Sequence, residues 1–217
     1  MKKQEIRAFH YIYPLPAVIV GARAKGKTDY ALISNCGVIS TEPSVIYISS
    51  EGRNYINSLI KKVKVFSVNI PSVPFARAAD YCGIASGKKA DKTAAFTPFF
   101  DGEHPAPMAD ECPVNLVCRL RKTLKVEGNE VFIASVERAF ADSECLTDGK
   151  PDIDKVNPLL YDVAKKYRSV GAWAGDALKI GRDFDKDAWE NMRKFKRMAR
   201  EAEKKEKKRE KGKRDFF

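Results

Sequence analysis

Short β-branched runs, each closed off by glycine or proline within about ten residues, most narrow what this chain can fold into. Residues 16–23 (PAVIVGAR) predict a strand, 24–28 (AKGKT) a hairpin turn, and 29–36 a second strand. Residues 45–49 (VIYIS) predict a third strand after a turn at Glu42 and Pro43, and 64–70 a fourth. Two long strands are expected at 115–126 and 131–140, joined by a tight turn at Gly128 and Asn129. Helical periodicity is confined to three places. Residues 54–62 follow Asn54 as an N-cap, with Ile56, Leu59, Ile60 and Val63 on one face. Residues 75–82 form a short helix, and a last helix starts near Asp187 with Trp189, Met192, Phe195 and Ala199 on one side. Residues 83–113 and 148–158 are turn-rich, and 161–173 fit neither period. Many strands with few helices between them predict a mainly β fold, a barrel rather than a doubly wound sheet.

The net charge of +11 resembles a nucleic-acid signal until its distribution is considered. Residues 193–214 hold 13 Lys or Arg against 4 Glu, and the rest of the chain 27 against 25 acidic residues. The body is nearly neutral, so nucleic acid is not expected as its partner. The division expected is a domain over residues 1–186 and a basic C-terminal helix or tail over 187–217. Mixed Lys/Glu runs of this kind usually form a solvated helix or remain disordered. No apolar run is long enough to span a bilayer and no signal peptide is visible, so no membrane is expected and the expected compartment is the cytoplasm. The five cysteines are widely spaced without a CxxC pair, and His10 and His104 are the only histidines. Buried free thiols in a reducing compartment are expected, and no metal site.

Residues 21–28, GARAKGKT, match the phosphate-loop pattern GxxxxGK[ST] and follow a predicted strand. A phosphate loop must open a helix, and the following residues contain Gly37 and several β-branched side chains with no long helical stripe. No later strand ends in the aspartate that would hold a metal-bound water. A P-loop nucleotide-binding protein is therefore kept only as a lesser alternative.

A different pattern runs from 14 to 182. Gly26 is a turn glycine, and Asp29, Ser34 and Ser40 follow it. Glu42-Pro43 precedes a strand ending in Ser49-Ser50-Glu51-Gly52-Arg53, where a helix begins. Phe66-Ser67-Val68-Asn69, Ser86-Gly87, Asp91-Lys92 and the hairpin around Gly128 come next. This order resembles the flavin reductase-like, FMN-binding split-barrel family, in its flavoredoxin-like branch. Asp29 departs from the commoner Asn, Ser44 from a second Pro, and Asn35-Cys36 from a bulkier pair.

The resemblance implies a Greek-key split β-barrel that binds FMN and transfers electrons through it, with NADH or NADPH as donor. It implies that Leu32, Ile33, Ser34, Asn35 and Cys36 line the ring. Ser49, Ser50, Arg53 and Asn54 would hold the phosphate, with charge added by Lys92. FMN carries the chemistry, so no catalytic residue is assigned. The resemblance implies a homodimer with FMN near its interface, the pocket completed from residues 161–173 of the other subunit, where Tyr167 and Trp173 are interface or flavin-stacking aromatics or else core. The final acceptor is a small molecule or an electron-transfer protein. A non-enzymatic carrier between proteins is the main alternative.

Overall fold

The structure, a computed structural model, describes residues 3–182 and 184–214, with the backbone alone for Arg200 and 202–214. Strands β1 (Val18–Ala24) and β2 (Lys27–Ile33) form a hairpin with Ala24 opposite Lys27. Lys25 and Gly26 between them have φ of 51° and 79°, the left-handed conformation a type I′ turn requires at both positions. Then come β3 (Cys36–Thr41), β4 (Ser44–Glu51), helix α1 (Tyr55–Val63), β5 (Val65–Ile70) and helix α2 (Ala76–Ile84). The long strands β6 (Val114–Val126) and β7 (Asn129–Ala141) follow. These seven strands make one antiparallel sheet in the order β2-β1-β5-β6-β7-β4-β3.

That order forces a curve. β2 and β3 are the two edges, yet only Ser34 and Asn35 lie between them. Three residue steps reach at most about 11 Å. Crossing a flat sheet of this width takes about 29 Å. The sheet must curl until its edges meet at that link, which makes a split β-barrel open along one seam.

Both faces of β1 are covered, which explains its unbroken apolar run. Val18, Val20, Ala22 and Ala24 enter a core with Ile33, Ile48, Phe66, Val68, Phe132 and Ala134, to which α1 adds Ile56, Leu59 and Ile60. The alternate residues Ala17 and Ile19 meet Tyr30, Phe96, Leu159 and the α2 residues Ala79 and Cys82. Gly21 lies on this outer side. A Cβ there would collide with the Pro107 carbonyl, the Ser67 hydroxyl and the Tyr30 ring. The first glycine of the phosphate-loop match is thus explained by packing, and the match runs into a β-turn and strand instead of a helix. The P-loop alternative is overturned on both counts.

Three elements differ from expectation. β3 was not expected; it pairs with β4 across the turn at Glu42-Pro43. The β6–β7 turn is Glu127-Gly128, one residue early, with Glu127 at φ 49°. Within 161–173, Tyr161 and Tyr167 pair in a small separate sheet that also takes in Leu15 and Pro16.

By internal packing, His10–Gly171 forms one compact unit, and the ends of the chain form another that contains helix α3 (Lys186–Arg214). Asp185 caps α3, its Oδ1 accepting from the N–H groups of Asp187 (2.9 Å) and Ala188 (3.0 Å). Among the described residues no helix is long and apolar enough to cross a membrane.

Candidate functional site

The seam is built from backbone. After Ile33, which is buried in the core, the chain turns at half-buried Ser34 and exposed Asn35. The Cys36 N–H donates to the Ser34 carbonyl at 3.1 Å, and the Ser49 N–H to the Asn35 carbonyl at 2.7 Å. The second bond joins the two expected groups, the strand end at Leu32–Cys36 and the segment from Ser49 to Asn54. Leu32 is half-buried below α2, where Gly83 leaves it room. Burial pushes the Cys36 thiol up to about 11, so it stays protonated at neutral pH.

The corner from β4 into α1 is held by side chains. Ser50 is buried, and its hydroxyl accepts from Asn54 Nδ2 at 2.9 Å. The Glu51 carbonyl accepts from the Asn54 N–H at 2.9 Å and from Asn57 Nδ2 at 2.9 Å. Asn54 is the N-cap by position, but its side chain makes no capping bond. With that carboxamide turned to Ser50, the leading N–H groups of α1 keep the positive potential that draws an anion. Arg53 stands at this corner with an 85% exposed side chain, its Nε bound to Glu51 at 2.6 Å. An exposed pair of this kind is worth about 0–1 kcal/mol, so it yields easily to a stronger anion.

A cleft of about 430 Å³ lies beside the hairpin turn, between Gly26–Lys27–Thr28 and the segment from Lys88 to Thr93. Lys27 links it to α1, its Nζ lying 4.7 Å from the ring centroid of Tyr55. Lys88 and Lys89 add two more cations, while the Asp91 carboxylate is turned onto the Thr93 N–H and hydroxyl. Lys27, Lys88 and Lys89 at this cleft and Asn57 at the corner are not among the residues expected from sequence. The first lay inside the rejected phosphate-loop match, so its letters marked a cationic cleft of different geometry.

Lys92 is not a solvated charge. Its side chain is 4% exposed, and its Nζ lies 3.1 Å from Asp29 Oδ1 and 3.3 Å from the Cys82 carbonyl. Burial raises the pKa of Asp29 against the opposing pull of Lys92. Gly87 packs so closely on the Asp29 carboxylate that a Cβ would overlap it. The Asp29 departure and the Ser86-Gly87…Asp91-Lys92 segment are therefore parts of one packed unit. Tyr167 is tied to α2 by its hydroxyl, which donates to Asp80 at 2.6 Å, and Trp173 is 79% exposed.

A family model described as "Flavin reductase like domain" matches residues 10–171. Flavoredoxin from Methanosarcina acetivorans is 34% identical, over 84% of this chain and 98% of that one, with a TM-score of 0.81. Flavoredoxin of Desulfovibrio vulgaris (Miyazaki F) is 29% identical, over 83% of this chain and all (100%) of that one, with a TM-score of 0.78. An FMN-binding protein from Thermus thermophilus shares the fold at 17% identity and a TM-score of 0.69, over 81% and 98% of the two chains. The matched residues span the whole seamed barrel, and the chain belongs to the flavin reductase-like domain family.

Proposed function

We propose that this chain binds FMN at the barrel seam and passes electrons through it, drawing them from NADH or NADPH. The observation that carries the reading is the bond from Ser49 N–H to the Asn35 carbonyl, which sets the strand end beside the start of α1. A flat heteroaromatic edge needs backbone donors and acceptors, and an adjacent phosphate needs positive charge and N–H groups. The seam offers both within one short stretch of surface.

In this reading the backbone from Leu32 to Cys36 contacts the pyrimidine edge of the ring, with Ser34 and Asn35 adding side chains. Ser49, Ser50, Arg53 and the N–H groups following Asn54 take the phosphate. Lys92, committed to Asp29, positions the segment 86–93 instead of touching phosphate. Bound FMN supplies the hydride-accepting and one-electron chemistry. The backbone N–H groups from Leu32 to Cys36 would stabilise the negative charge of the reduced group. No general acid or base is required of the chain.

Val38 and Ile39 on the edge strand β3 are 67% and 53% exposed. An exposed apolar edge is a natural pairing surface. We assign it to a second copy of the chain, which places FMN near a dimer interface. The unpaired thiols fit a reducing compartment, and we assign the protein to the cytoplasm.

The test is an absorption spectrum after FMN is added and the protein desalted, followed by NADH and NADPH oxidation with FMN as the sole added cofactor. Retained, perturbed flavin bands with oxidation of either nucleotide are expected. Retained flavin without oxidation would favour the second reading, a carrier between protein partners, which the flavoredoxin relatives motivate by name. A protein that neither retains nor turns over FMN would overturn both.

A further inference from the structure

The family match ends at residue 171, and α3 begins at Lys186, so this helix lies outside the shared domain. Ala188, Met192, Phe195 and Ala199 recur at intervals of four, three and four, which puts them on one face. Trp189 flanks that face and packs beside Phe184, the ring centroids 6.0 Å apart and the planes tilted by 53°. Phe195 is 72% exposed and Trp189 45%. Arg193, Lys194 and Arg197 fall on the opposite side by the same period, and 193–214 holds 13 basic against 4 acidic residues. Large exposed apolar side chains backed by dense positive charge need a covering surface that is apolar within and negative at its rim.

Three occupants can be compared on charge. A second copy of α3 would bring two strongly basic segments together, and the apolar repeat runs for only about two heptads, short of the three to four a coiled coil sustains. Nucleic acid would answer the charge but leave Trp189, Met192 and Phe195 without a role. A bilayer carrying anionic lipids answers both, because a basic amphipathic helix lies in its interface with the apolar side at the acyl boundary. We propose that α3 docks the protein on an anionic membrane surface, with Trp189, Met192 and Phe195 entering the acyl boundary and the Lys and Arg side chains meeting lipid phosphates. The helix lies on the membrane and does not span it. The proposal does not depend on the flavin reading.

Trp173 and Trp189 are the two tryptophans, so Trp173→Phe in the full chain leaves Trp189 as the sole tryptophan, excited selectively at its red edge. That protein is titrated at physiological salt with vesicles of phosphatidylcholine and phosphatidylglycerol (3:1), and with phosphatidylcholine alone. A blue-shifted emission and co-flotation with the mixed vesicles, and neither with the neutral ones, are expected. Adding Phe195→Glu should weaken binding by about tenfold or more with helix content by circular dichroism unchanged. Three outcomes overturn the proposal. One is no binding to the mixed vesicles. Another is binding with unshifted emission or indifference to Phe195→Glu, which means charge adsorption only. The third is tighter binding to a DNA duplex than to vesicles at equal phosphate concentration.

Discussion

Arg53 and Lys92 are two cations in opposite surroundings. Arg53 is exposed and weakly held by Glu51, so it is free to turn to a ligand. Arg53→Ala is expected to cost about 1.5–3 kcal/mol of FMN affinity, checked by fluorescence titration of the flavin. An unchanged affinity would remove Arg53 from the site. Lys92 is buried against Asp29, so removing it strands a carboxylate. Lys92→Met should destabilise the fold by about 3–5 kcal/mol, and adding Asp29→Asn should restore much of that. The pH sign follows from the raised pKa of Asp29. Its folded-state carboxyl holds a proton more tightly than the unfolded one, so its contribution to stability falls as pH rises above the ordinary value near 3.8. Without Lys92 the pKa rises further, and the variant should recover stability on acidification. Urea unfolding at several pH values measures this, and a pH-independent deficit would count against a buried unpaired charge. Residue types at the proposed site are legible because they follow one another along the chain. The partner of Lys92 is not, since nothing local links it to Asp29.

Elements were legible where one face is buried and illegible where neither is. β1, β4 and β5 announce themselves by β-branched residues packed on the core. β3 contains Gly37 and exposes Val38 and Ile39, so it lacks the alternation that marks a half-buried strand. Its pairing with β4 holds it in place instead. Asn69 shows the same limit inside a correctly read strand. Its Nδ2 donates to the Ile19 carbonyl at 2.8 Å, and its Oδ1 accepts from the Ala109 N–H at 3.1 Å and from Asn115 Nδ2 at 3.0 Å. One amide thus ties β1, β5, β6 and the loop before β6 together. Asn69→Ala would leave several buried polar groups unpaired, each costing about 1–3 kcal/mol. A loss of several kcal/mol in unfolding free energy is expected, with faster amide exchange at Ala109; exchange as slow as in the parent would show that the loop is held by other means.

At the scale of the whole molecule, the strand order leaves one seam, where the proposed flavin site lies. A seven-stranded sheet whose edges are joined by two residues has a single seam, and the seam is where backbone polar groups lie outside the ladder. The barrel class was legible from strand spacing, but the edge-to-edge link was not, because it depends on pairing between β6 and β7, far along the chain from the seam. If a second copy covers β3, Ile39→Lys should shift the protein toward monomer in sedimentation and weaken FMN binding together. A monomer with undiminished flavin affinity would place the site within one copy.

The last prediction separates the barrel from the basic helix. The family match and the compact unit both end at residue 171, while 84% of the chain aligns with 98% of a flavoredoxin. The sequence divides instead at 186, where the charge changes character. A chain shortened to residues 1–186 should fold, keep its FMN affinity within about twofold and lose its binding to anionic vesicles, because the seam residues all precede residue 93, within the unit His10–Gly171. Flavin titration and vesicle flotation on the same preparation decide it. Flavin lost with the helix would make α3 part of the site, and flotation retained would move the docking surface onto the barrel.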